Sequence, residues 1–108
     1  MIRITIYKTP EGRHKGIQVV GHADSVEDGA DLVCCSVSVL TINLVNSLER
    51  LTQDSFEQEQ DEETGLIEVR LDDDSSEQAE LLMSSYDLGI HSIADGYETW
   101  LNVKTKEV

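Results

Sequence analysis

With 108 residues, 39% of them hydrophobic, the chain has the length and apolar content for one packed core and is too short for two. Twenty-two acidic against eight basic side chains leave a formal charge of -14, which opposes direct contact with nucleic-acid phosphates or anionic membranes and favours a basic peptide or protein. The opening MIRITIYKTPEG has no signal-like apolar region or cleavage site, and no run approaches the roughly 18 apolar residues of a membrane span, so a cytoplasmic location is expected. Residues 1–108 read as a single domain.

IRITIYK alternates Ile2, Ile4 and Ile6 with Arg3, Thr5 and Tyr7, the period of two of a half-buried strand. TPEGRHKG supplies a turn, and Ile17, Val19 and Gly21 mark an antiparallel partner strand that delivers His22 to its end. Asp24 to Ala30 is polar and aperiodic and reads as a surface loop. Val33, Val37, Leu40, Leu44, Leu48 and Leu51 then recur at spacings of three and four, one face of a long helix, with Leu32, Val39 and Ile42 widening its apolar surface. DSFEQEQDEETGLIEVRLD reads as a second hairpin around an acidic turn at Asp61 to Gly65. A second helix follows, with Ser75 or Ser76 as N-cap, Glu77 and Glu80 in its first turns, and Leu81, Met83, Leu88 and Ile90 on its apolar side. YETWLNVKT closes the chain as a fifth strand. The expected class is α+β, order ββαββαβ: two antiparallel strand pairs and a C-terminal strand form a sheet packed with two helices.

Chemistry concentrates in GHADSVEDGADLVCCSVSVL. Cys34 and Cys35 are sequence neighbours, so a disulfide between them is strained and both are expected as reduced thiols. If Asp31 is the helix N-cap, Cys34 lies near the first turn, where the partial positive charge favours a thiolate. His22, arriving on the preceding strand, can pair with that thiolate and pass its proton to a leaving amine, as in Cys/His hydrolases. Cys35 is about 100° further round the helix; Ser38, one turn beyond Cys34 on its face, favours Cys34 as the reactive thiol and leaves Cys35 as a small buried side chain. Spacing alone leaves two alternatives: a catalytic pair, or a buried cysteine with a surface histidine. A metal site has weaker support, because it needs three or four ligands while His14 falls in a different turn and His91 on the second helix with no cysteine near it; Asp and Glu could complete one, but 22 acids exclude nothing. No metal or cofactor is expected.

The same stretch resembles the signature of the bacterial ribosomal-processing cysteine protease family, Prp. The matching residues are Gly21-His22-Ala23, a spacer of five, Gly29, Asp31, two aliphatics, Cys34 and Ser38, and the resemblance extends over essentially the whole chain. It implies a cytoplasmic endopeptidase that removes the N-terminal extension of large-subunit ribosomal protein number twenty-seven, a basic substrate. It also implies Cys34 as nucleophile and His22 as proton partner, Asp31 and Ser38 as supporting residues, an apolar pocket for aromatic side chains before the scissile bond, and a homodimer. Asp24, Asp28 and Cys35 depart from the family pattern, where glycine, an aromatic and alanine are usual. The alternatives are an acidic ribosome-assembly binding factor without proteolytic activity, and a thiol redox sensor built on Cys34 and Cys35.

Overall fold

The computed structural model describes residues 1–22 and 29–108. In chain order the elements are β1 (Ile2–Lys8), β2 (His14–Val20), α1 (Ala30–Leu51), β3 (Phe56–Asp61), β4 (Leu66–Leu71), α2 (Glu77–Gly96) and β5 (Leu101–Glu107). The expected order ββαββαβ and both hairpins are present. Most of the loop expected at Asp24 to Ala30 lies outside the described residues, and Ala30 itself begins α1.

The strands form one mixed sheet in the order β3-β4-β2-β1-β5. β1 pairs antiparallel with β2, Ile4 opposite Val19 and Ile6 opposite Ile17, while β5 runs parallel to β1 on its other side. The parallel pairing follows from topology, since α2 must carry the chain from the end of β4 back across the sheet before β5 can begin. Ile2, Ile4, Ile6, Ile17, Val19 and Val69 project from the sheet into the core, where Val33, Val37, Leu44 and Leu48 of α1 and Ala79, Met83 and Ile90 of α2 meet them. Thr41 and Tyr86 join the two helices through a buried 2.8 Å hydroxyl hydrogen bond. The alternate sheet positions carry exposed Arg3, Arg70, Lys104 and Lys106, so much of the chain's few positive charges lies on the side away from the helices.

Two polar fixtures tie the layers together. Asp54, just before β3, accepts from the Ser76 amide at 2.6 Å and from its hydroxyl, while the Ser76 hydroxyl oxygen accepts from the Ala79 amide, making Ser76 the N-cap of α2. His14, 4% exposed at the start of β2, has Nδ1 2.9 Å from Glu80 and Nε2 2.9 Å from Asp87, both on α2. Both of its nitrogens therefore face carboxylates in a structural ion cluster.

The apolar faces of the helices are narrower than their sequence pattern suggests. Leu32, Val39, Ile42 and Leu51 of α1 and Leu81 and Leu88 of α2 are exposed, whereas Met83 and Ile90 are fully buried. A helix in a two-layer domain meets the sheet below and its neighbour to one side, and its outer third has nothing to pack on. By length and composition α1 also reaches the size of a membrane span, but it is the helix whose inner face fills the core.

Candidate active site

β2 ends at Val20, and the chain turns at Gly21, whose φ of 91° lies in the left-handed region. A side chain there would also collide with the Met1 carbonyl oxygen, 2.4 Å from where its Cβ would stand. This tight corner sets exposed His22 at the mouth of a cavity of about 350 Å³. Cys34 and Ser38, one turn apart on α1, line the same cavity. Its apolar part comes from Ile2, Val19, Val37, Ile42, Leu66 and Ile67, and Gln60, Asp61 and Glu62 from the β3–β4 end complete its rim. A larger depression of about 540 Å³, between Leu51–Ser55 and the Asp72–Gln78 region, is lined by carboxylates, hydroxyls and amides and holds no cysteine or histidine. Of the two, the smaller cavity is the one that brings a thiol and an imidazole together.

Three local expectations change. The N-cap of α1 is Gly29, with φ 104° and no side-chain cap, and Asp31 is an exposed acid inside the first turn. Counting from Ala30, Cys34 is the fifth helical residue, and its amide belongs to the helix's own hydrogen-bond ladder. The charge of a helix end acts mainly within its first turn, so Cys34 draws less from it than an Asp31 cap would have implied. Cys35 is exposed rather than buried, on the outer side of α1 with Leu32, Val39 and Ile42, while Cys34 is half-buried against the core. Asp31 does not line the cavity that His22, Cys34 and Ser38 share. Asp24 and Asp28 lie outside the described residues.

The β3–β4 turn is a part of the site that sequence reasoning treated only as a hairpin connection. The Gly21 amide donates to the Thr64 carbonyl at 2.8 Å, and His22 Nε2 lies 3.4 Å from the Glu63 carbonyl. The signal available in sequence was the acidic run ending in glycine, which marks a turn but not what the turn touches. Among the described residues no group of three or more His, Cys, Asp or Glu side chains could hold a metal ion.

Comparison with known proteins places the whole chain. The family described as cysteine protease Prp matches residues 1–102. The ribosomal processing cysteine protease Prp of Staphylococcus aureus is 26% identical over 106 residues, covering 98% of this chain and all of the relative. Crystal structures of the S. aureus protease with a covalently linked product peptide and with a substrate peptide superpose with TM-scores of 0.89 and 0.90, at 26% and 25% identity, each covering 98% of this chain and all of theirs. The Streptococcus mutans protein SMU.848 is 31% identical with a TM-score of 0.88, over all of this chain and 96% of its own. A thiol and an imidazole at one apolar cavity, on a fold matched from end to end, identify this chain as a member of the Prp family of cysteine proteases.

Proposed function

We propose that this protease acts in the cytoplasm as an endopeptidase that removes the N-terminal extension of large-subunit ribosomal protein number twenty-seven during ribosome maturation. The observation that carries the reading is the cavity shared by His22 and Cys34, with an apolar lining and an acidic rim. His22 takes the Cys34 thiol proton, Sγ attacks the scissile carbonyl, and the tetrahedral intermediate collapses to a thioester as His22 gives that proton to the leaving amine. His22 then takes a proton from water, whose oxygen attacks the thioester and releases the thiol. Ser38 supplies a polar contact beside Cys34, and Asp31 favours the positive end of α1. Ile2, Val19, Ile42 and Ile67 offer apolar surface to aromatic side chains before the scissile bond, and Asp61 and Glu62 offer negative charge to a basic chain. The S. aureus relative, crystallised with substrate and product peptides, is a ribosomal processing protease, which supports a ribosomal precursor as substrate here.

A homodimer belongs to the same proposal. No charged residue occurs from Leu32 to Leu48, and the exposed Leu32, Cys35, Val39 and Ile42 form one uncharged stripe along the outside of α1. In a chain of net charge -14 such a surface lets two copies approach with little repulsion.

The deciding experiment is cleavage of the extended precursor, read by mass spectrometry. Wild type and Cys35→Ala are expected to cut at one site at similar rates, and Cys34→Ala and His22→Ala to lose at least about a hundredfold. Binding without any cutting by wild type would favour an assembly factor, and loss in Cys35→Ala alone would move the chemistry to the neighbouring thiol.

A further inference from the structure

We infer that the β3–β4 turn is a positioning device for the catalytic histidine, and that the backbone carbonyl of Glu63 is the group that orients it. The inference rests on His22 being the proton partner of Cys34.

Three contacts converge on two residues. Gly21 is held by its amide hydrogen bond to the Thr64 carbonyl, 2.8 Å. His22 Nε2 faces the Glu63 carbonyl oxygen at 3.4 Å, at the long end of a hydrogen bond and of the kind that shortens when substrate closes a site. Gly65 packs against both: a Cβ there would stand 2.5 Å from the Gly21 carbonyl oxygen and 3.1 Å from His22 Cε1, and its φ of 70° is itself in the left-handed region. The turn is braced from within, since the Glu63 amide donates to Asp61 Oδ1 at 3.0 Å.

A carbonyl oxygen only accepts. When it faces Nε2, that nitrogen must carry the hydrogen, and in neutral imidazole the lone pair is then left on Nδ1. Nδ1 is therefore the nitrogen that exchanges a proton with the Cys34 thiol. Cysteine and serine hydrolases need some third group to hold the imidazole in one tautomer and orientation. Here a main-chain carbonyl does so without adding a charge. An acidic turn that reads as solvated surface thus acquires a catalytic purpose through its backbone, not its carboxylates.

The test is the tautomer of His22 together with the kinetics of a Gly65 variant. In wild type labelled with ¹⁵N-histidine, with the His22 resonances assigned by their loss in His22→Gln, the neutral ring should show hydrogen predominantly on Nε2. Gly65→Ala should lower kcat at least about tenfold with little change in KM, slow alkylation of Cys34 by iodoacetamide, and spread the His22 tautomers. Gly12→Ala is the matched control: Gly12 has φ 89° with nothing within 4 Å of its added Cβ, so it carries the same backbone strain away from the site and should leave kcat unchanged. Hydrogen on Nδ1 in wild type, an even mixture, or a folded Gly65→Ala enzyme with undiminished kcat would each overturn the inference. If Gly65→Ala does not fold, the wild-type tautomer decides alone. An Nε2-protonated His22 in a wild type that cuts no precursor would overturn the proteolytic reading and leave the carbonyl contact standing.

Discussion

At the scale of single residues, Asp87 shows how one carboxylate can hold two layers together. It accepts from His14 Nε2 at 2.9 Å, lies 3.3 Å from Lys8 Nζ, and meets His91 Nδ1 at 2.8 Å. Burial is the largest influence on its pKa and pushes it up, but the hydrogen bonds and charges of His14 and Lys8 together outweigh it, and the folded value lies below the usual 3.8. A carboxylate depressed by folding contributes stability that is complete above its unfolded value and is lost as pH falls through the lower folded value. The urea midpoint should therefore drop on acidification below about pH 4. Asp87→Asn should cost about 1–3 kcal/mol at pH 7 and flatten that acid limb. An unchanged limb in the variant would remove Asp87 as its source. The neighbouring Tyr86 moves the other way: burial pushes its phenol up to about 12, with the Thr41 hydrogen bond pulling weakly against it, so it remains a neutral partner to Thr41.

At the scale of elements, the two long helices each leave leucines or other apolar residues outside, but for different surroundings. The exposed stripe on α1 runs through Ile42 to the rim of the cavity, whereas Leu81 and Leu88 on α2 stand among polar neighbours, Ser84, Ser85, His91 and Ser92. If α1 is the dimer face, Val39→Glu places two carboxylates at a low-dielectric contact and should convert the protein to monomer in sedimentation velocity, while Leu88→Glu leaves assembly unchanged. A Val39→Glu protein that sediments as wild type would exclude this face. Proximity to the cavity also means that monomerisation can be tested for an effect on cleavage in the same preparation.

At the scale of the whole molecule, charge is unevenly placed. Arg3, Arg70, Lys104 and Lys106 lie on the sheet positions away from the helices, where Arg70 pairs with Glu57 at 3.4 Å, while Asp61 and Glu62 rim the cavity. If the proposed basic precursor is the substrate, a net charge of -14 with acids at the cavity rim attracts it over long range, and ions screen that attraction over roughly 10 Å at 0.1 M salt. Raising sodium chloride from about 0.05 to 0.5 M should lower kcat/KM for the precursor several-fold through association, with kcat nearly constant. A salt-independent kcat/KM would mean that long-range charge has no part in recognition.

The sequence by itself determined the element order, both hairpins, a serine cap at Ser75 or Ser76 and the motif spanning His22 to Ser38, because these rest on local periodicity, turn chemistry and residue spacing; the structure chose Ser76. Only the tertiary structure decided which apolar residues are buried. Leu32, Val39, Leu81 and Leu88 fit a helical pattern as well as Val33 or Met83 do, and their fate depends on where the sheet and the other helix lie. The same limit hid the role of the β3–β4 turn: Glu63, Thr64 and Gly65 are more than forty residues from Gly21 and His22, and they meet because β4 pairs with β2. Backbone carbonyls and missing Cβ atoms leave no mark in a residue pattern. Their contribution appears when the fold brings two turns to the same end of the sheet.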